Sequence, residues 1–357
     1  MSTYTVSHEV KLPSNKIAAL RTISLHELQN DSPTEHALLL QTCIEDGFFY
    51  LDLTHPNFSS LLRDVDTVFD LSKDLFNYPE VIKSLFDVDK ISDMKLNGYK
   101  PKGRNVVTKD GKMDGFESWQ ISRNGLLQLT DDPFPHPPAI AEYQNAVRGL
   151  VHGLSSAAKN VFSSLSTSLS IPQGQRFEEF QGLTRPSPDI LRVLKYHANL
   201  NADTVPQTPH TDIGSLTFVF STTPGLQALP IGIDQKPGSY TEDDWRYVAP
   251  RAGHAIVNVG DCLTMMTNGL LKSALHRVGP VEGTIMPERY SLAYLMRPED
   301  QTMLRVLDSP LIPRSVSNSE DAVTSGEWIR KKFKALRGRK DAGNYDRIIA
   351  GGRGIMT

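Results

Sequence analysis

From about residue 188 the chain breaks into short β-type runs separated by turn residues, and this texture limits the possible folds most. The runs are ILRVLKYH, GSLTFVFST, GLQALP, WRYVAP, HAIVNVGD, CLTMM, LKSALHRV, RYSLAYLM and TMLRVL. Many short strands at regular spacing predict a sandwich, jelly roll or barrel. The first half reads differently. After a loose arm over residues 1–20, Ser32-Pro33-Thr34-Glu35 reads as a capping box opening a helix that Gly47 stops. The apolar run Phe48–Leu53 is of strand type, and Phe58, Leu61, Leu62, Val65, Val68 and Phe69 then recur at helical spacing. A longer helix is predicted over 139–166, its serine-rich end less regular. Residues 90–125 have no clear period and carry several glycines, which predicts a long irregular loop with short strands of the kind that often faces substrate. A basic segment, EWIRKKFKALRGRK, reads as a last helix packed by Trp328, Ile329, Phe333 and Leu336. The expectation is helices first, then an all-β core, in one cooperative unit.

Charge and cysteine usage exclude several functions. Lys and Arg number 38 against 41 Asp and Glu, with no basic domain, which argues against nucleic acid as partner. No apolar run approaches the ~20 residues of a membrane span, and MSTYTVSHEV lacks the apolar core of a signal peptide. Only Cys43 and Cys262 occur, so neither a disulfide framework nor a cysteine-rich metal site organises the chain. The expected setting is cytoplasmic, without a membrane partner, and the oligomeric state stays open.

Of ten histidines, one stands in a His-x-Asp arrangement, His210-Thr211-Asp212. In an extended strand those two side chains share a face and can bind one ion. A third ligand must come from another strand. His276 in SALHRVG is the natural candidate, with His254 in PRAGHAIVN its main competitor. Two imidazoles and one carboxylate leave about three positions open on an octahedral ion, the arrangement of non-haem Fe(II). Arg289-Tyr290-Ser291 opens the strand RYSLAYLM and aims a guanidinium and a hydroxyl the same way, a pairing suited to a carboxylate.

As a series, His210-Thr211-Asp212, Asn258-Val259-Gly260-Asp261-Cys262-Leu263, Asn268-Gly269, Ser273, His276-Arg277-Val278 and Arg289-Tyr290-Ser291 closely resemble one known family. It is that of the 2-oxoglutarate- and iron(II)-dependent dioxygenases of the isopenicillin N synthase-like superfamily. The N-terminal ISLHEL and CIEDGFFYLDL are similar too, so the resemblance covers roughly residues 20–340. It implies an α+β fold. A helical N-terminal region with a substrate-facing loop (1–187) would precede a double-stranded β-helix, the cupin-like jelly roll (188–310). A C-terminal helix and tail (311–357) would follow, all packed as one unit. It also implies Fe(II) on His210, Asp212 and His276, and 2-oxoglutarate with its distal carboxylate on Arg289 and Ser291. Tyr196 would lie beside that cosubstrate, with O₂ as the second. Two departures stand out: His197-Ala198-Asn199 replaces the usual proline after the tyrosine, and His254 replaces a small apolar residue. Asn258, Gly260 and Asp261 read as a turn.

Tyr99, Lys100, Lys102 and Arg104, with Phe116–Trp119, read either as the substrate mouth or as exposed lysines beside a packed Trp119, and Phe218, Phe220 and Leu226 either as an apolar wall near the iron or as core. The activity implied is oxidation of a small organic molecule in secondary metabolism, by hydroxylation, desaturation or cyclisation. An iron oxidase of the same superfamily that does not use 2-oxoglutarate is the first alternative. A catalytically silent binding module is the second.

Overall fold

The computed structural model describes residues 10–92, 94–105, 111–198, 204–236, 238–314 and 323–337. Part of the expected N-terminal arm, the tail beyond 337 and the packing of Leu336 lie outside the described residues and side chains.

Four strands of the two main sheets come from the first half: β1 (Thr22–Ser24), β2 (Phe48–Asp52), β3 (Gly98–Lys100) and β4 (Phe116–Ser122). The second half supplies β5 (Ile190–Tyr196), β6 (Gln207–His210), β7 (Leu216–Ser221) and β8 (Leu226–Ala228). It continues with β9 (Arg246–Tyr247), β10 (His254–Val259), β11 (His276–Val278) and β12 (Arg289–Met296). They form a large sheet, β1-β2-β10-β7-β12-β5-β4-β3, and a small one, β9-β8-β11-β6. Apart from the parallel β1–β2 pair, these neighbours are antiparallel. The result is a jelly roll whose large sheet is extended by N-terminal strands.

Side-chain alternation builds two cores from one sheet. In β5, Leu191 and Val193 join the cluster shared with the helices, whereas Leu194 and Tyr196 join the cluster inside the roll. The inner cluster draws on both sheets, with Phe48, Ile256 and Ala293 meeting Leu226 and Val278. Behind the large sheet lie three helices, α1 (Pro33–Glu45), α2 (Ser59–Asn77) and α3 (Gln144–Ser168). Each buries its apolar stripe, as Leu39, Val65 and Leu154 show.

Several local expectations are corrected. The capping box at Ser32 does not form, since its side chain makes no cap hydrogen bond and Glu35 instead accepts from the Ser24 N–H. Gly47 does end the helix, at φ +65°, and a Cβ there would meet the Lys272 carbonyl oxygen at 2.3 Å. Residues 90–125 include a full seven-residue strand, β4, buried throughout. The third helix holds through its serines to Ser168, because Ser155, Ser164 and Ser166 lie on its buried face. CLTMM is not a strand but the helix α4 (Asp261–Met266), an ambiguity that a short apolar run always leaves. TMLRVL keeps only the two-residue strand Met303–Leu304. The last helix, α5 (Ser325–Arg337), packs through buried Trp328 and Ile329.

Candidate metal centre

β6 and β11 pair so that His210 stands directly opposite His276, with ring centroids 4.3 Å apart. Asp212 lies two residues past His210, beyond the strand end and not within it. Its Oδ1 is 3.8 Å from the Nε2 of each histidine. One donor atom from each of the three residues lies within 4.8 Å of the others. The Nδ1 of His210 faces the Thr208 carbonyl at 2.9 Å and that of His276 faces the Ala274 carbonyl at 3.2 Å. Each Nδ1 therefore donates a proton to a carbonyl, which leaves Nε2 as a lone pair turned inward. Two imidazole nitrogens and a carboxylate oxygen so arranged fit an octahedral iron with open positions.

The electrostatics agree with a ligand set. Burial, with the neighbouring His276, pushes His210 down to about 4. Burial alone would raise Asp212, but the two imidazoles and Asn258 outweigh it and hold the carboxyl below its usual range. Asn258 reads from the sequence as a turn residue, and the structure corrects this. It sits in β10, not in a turn, and its Nδ2 donates to Asp212 Oδ2 at 2.7 Å. The turn proper begins one residue later, after Val259. There the N–H groups of Gly260, Asp261 and Cys262 bind the carbonyls of Ser215, Asp212 and Gly214 at 2.8–2.9 Å, clamping the ligand loop.

Gln207 is a residue the sequence reading missed. Its Oε1 accepts from the Tyr196 hydroxyl at 2.5 Å, and its amide nitrogen lies 3.1 Å from His210 Nε2. A tyrosine on β5 is thereby coupled to the metal-facing nitrogen. His254, the competitor for third ligand, is elsewhere: its Nε2 faces Asp52 at 3.8 Å and its ring stands edge-on to Tyr50.

A narrow cavity of about 60 Å³ joins the triad to Tyr196, Arg289 and Ser291. Arg289 is only 1% exposed. Its Nε donates to the Thr223 carbonyl at 3.1 Å and one terminal nitrogen to Ser221 Oγ at 2.6 Å. The other terminal nitrogen, Nη1, is buried with no hydrogen-bond partner among the described residues. Ser221 Oγ also lies 3.0 Å from Ser291 Oγ, so Ser221 ties the arginine to the serine. The Tyr196 ring lies 5.0 Å from the guanidinium carbon. A buried cation with an orphaned N–H is poorly satisfied by this chain alone and fits a carboxylate ligand.

A larger cavity of about 280 Å³ shares His210 and Asp212 with the narrow one, and Arg104 and Lys100 line it. The remaining substrate-side expectations are corrected. Tyr99, Trp119 and Phe218 are buried in the core between sheet and helices, not in the cavity wall. Phe218 and Phe220 alternate with Thr217, Val219 and Ser221, and it is the latter set that faces the roll. Tyr99 donates instead to Glu117 at 2.7 Å. Leu226 does face the roll, in the wall of the narrow cavity.

Known proteins resemble this chain along most of its length. The family model for the 2OG-Fe(II) oxygenase superfamily matches residues 188–298. The 2-oxoglutarate-dependent dioxygenase gloE of Glarea lozoyensis is 31% identical over 334 residues, covering 93% of this chain and 92% of that one. The 2-oxoglutarate-dependent dioxygenase frbH of a Dothideomycetidae species is 28% identical over 94% of this chain and 96% of its own. A full-length Neurospora crassa protein, solved by crystallography in complex with alpha-KG, shares the fold at TM-score 0.72 and 22% identity, over 91% of this chain and 98% of that one.

Proposed function

The chain belongs to the 2OG-Fe(II) oxygenase superfamily, and we propose from that premise which residues carry its chemistry. The protein is an Fe(II)- and 2-oxoglutarate-dependent dioxygenase that oxidises a small organic molecule. His210, Asp212 and His276 hold the iron, Arg289 and Ser291 receive the distal carboxylate of 2-oxoglutarate, and Tyr196 lines its pocket. The observation that carries this reading is the single cavity in which the triad and the orphaned Arg289 Nη1 meet. Iron held by His210, Asp212 and His276, with 2-oxoglutarate and O₂, would supply the oxidising power for attack on a substrate C–H bond. The chain's own residues do the rest. Backbone carbonyls fix the histidine tautomers, Asn258 turns Asp212 toward them, and the apolar roll keeps water from Arg289. Hydroxylation is the outcome proposed first, with desaturation and cyclisation using the same site.

A role in secondary metabolism is supported by fungal dioxygenase relatives that match nearly end to end. The three-part division at residues 187 and 310, acting as one unit, is supported by N-terminal strands that continue the roll's large sheet. A cytoplasmic setting is supported by two buried free cysteines, and among the described residues no helix is long and apolar enough to cross a membrane. The substrate is proposed to be a free small molecule, not nucleic acid.

The test is a titration of 2-oxoglutarate into the anaerobic Fe(II) protein, followed by absorbance, with succinate measured on exposure to air. Arg289→Ala should weaken binding by about 2–5 kcal/mol, the worth of a buried charge-assisted contact. Arg289→Lys should recover only part, since a point charge cannot form the fork. Unchanged 2-oxoglutarate affinity in Arg289→Ala would overturn the assignment of the carboxylate site. Substrate turnover without 2-oxoglutarate would favour the oxidase.

A further inference from the structure

Six cations line the larger cavity, and five of them have acceptors from the chain itself. Lys100 bonds Asp114 at 2.8 Å, Lys95 faces Asp89 at 3.2 Å and Arg104 bonds Asp87 at 2.5 Å. Lys332 faces Asp261 at 3.7 Å, and Arg297 donates to the Ile213 carbonyl at 2.8 Å. Arg192 is the exception. Among the described residues its only hydrogen bonds go to one hydroxyl, Ser118 Oγ, at 3.2 and 3.4 Å, with the Phe116 ring 5.3 Å from its guanidinium carbon.

Its position makes that lack consequential. Arg192 alternates in β5 with Leu191 and Val193, which face the helices, so it points into the roll. It lines both the larger cavity and the narrow one, beside His210 and Asp212. The nearby carboxylates are already engaged: Asp114 accepts from Lys100 and Asn105, and Asp212 from Asn258. Arg192 is half-buried, and burial pushes its guanidinium below its ordinary range against the opposite pull of Tyr196, Asp212 and Asp114. A cation in that state focuses field into the cavity and attracts an anion. Apolar side chains, Val88, Phe116, Ile190, Ile213, Leu295 and Phe333, share the wall with polar groups that include Asn105, Gln120 and Thr208.

We infer that the substrate is a compact apolar molecule bearing a carboxylate, and that Arg192 receives that carboxylate beside the triad. The inference rests on the oxygenase reading and deepens it by naming a substrate class. A guanidinium is the side chain that forks onto a planar carboxylate, whereas an amide or ester offers neither charge nor a second anionic oxygen. Arg289 lines only the narrow cavity, whereas Arg192 lines the narrow and the larger one, so Arg192 alone of the two reaches the space assigned here to substrate.

The test separates the two. The full chain is loaded with Mn(II) and 2-oxoglutarate, and binding is followed by calorimetry and by paramagnetic relaxation of probe protons. The probes are matched pairs, 3-phenylpropanoate with 3-phenylpropanamide and octanoate with octanamide. Wild type should prefer the acid of at least one pair by about tenfold or more, the factor that about 1.4 kcal/mol of binding energy gives, with relaxation placing it near the metal. Arg192→Met and Arg192→Gln should lose that preference and keep their 2-oxoglutarate affinity, which also reports that they fold. Acid preference in neither pair, absence of binding included, would overturn the inference, and that comparison needs no variant. Loss of 2-oxoglutarate binding in a folded Arg192 variant would also overturn it, by assigning Arg192 to the cosubstrate. Failure of wild type to bind Mn(II) and 2-oxoglutarate at all would instead strike the oxygenase reading.

Discussion

A histidine becomes a ligand through what holds its second nitrogen and what its first nitrogen faces. His276 meets both conditions, with Nδ1 on a carbonyl and Nε2 facing Asp212. His254 also has its Nδ1 at a carbonyl, 2.9 Å from Ala252 O, but its other face is turned to Asp52. His276→Ala should therefore abolish tight Fe(II) or Mn(II) binding, and His254→Ala should retain it. Calorimetric titration under anaerobic conditions checks this, and the reverse pattern would refute the ligand set. Asn258 touches no metal position yet holds the second oxygen of Asp212. Removing such an outer partner typically costs about 10–100-fold in metal affinity, so Asn258→Ala should weaken binding by that factor. An Asn258→Ala affinity equal to wild type would show that the hydrogen bond does not orient the ligand.

The connection from β10 into α4 acts at the scale of elements. Gly260 passes so close to the loop after Asp212 that an added Cβ would lie 2.3 Å from the Gly214 carbonyl oxygen and 3.2 Å from that of Asp212. Both are backbone atoms, so neither can rotate away. Gly260→Ala should thus push the two loops apart, destabilising the fold by about 1–3 kcal/mol and loosening the metal site with it. Urea midpoints and metal titration on the same variant check both effects, and a variant matching wild type in both would show the contact to be idle. From the other side, α5 brings Lys332 toward Asp261 and Phe333 to the larger cavity. A segment that reads in sequence as a basic surface helix is thereby part of the wall around the site.

For the whole molecule, the substrate-side loop carries a cost that pH reveals. Burial outweighs the attraction of Asp114 and pushes Lys100 down to about 8. In the unfolded chain the amine returns to about 10.5, so between these values unfolding takes up a proton. Stability from this group is therefore lowest below pH 8 and rises with pH across the window, by on the order of 3 kcal/mol in full. Urea unfolding at about pH 7.5 and about pH 10 should show wild type gaining stability relative to Lys100→Met, and equal pH slopes would refute it. Much of the proposed site was legible in the residues: a His-x-Asp pair, a third histidine in a β-type run, and Arg289 with Ser291 two apart on a strand. Those features are local, because period-two alternation sets which side chains share a face. Helix and strand positions in the first half were legible for the same reason. The inner face of a strand buried on both sides was not, since LTFVFS has no exposed side to mark it, and so the pattern leaves Phe218 open between cavity and core, and packing against the helices decides it. Nor could spacing show that Lys100 and Arg104 have acidic partners while Arg192, among the described residues, bonds only a hydroxyl. Lys100 meets Asp114 and Arg104 meets Asp87 only through the path of the connecting loops, and Arg192 meets Ser118 only because β4 and β5 pair within the large sheet, so folding and not spacing decides which charge finds a partner.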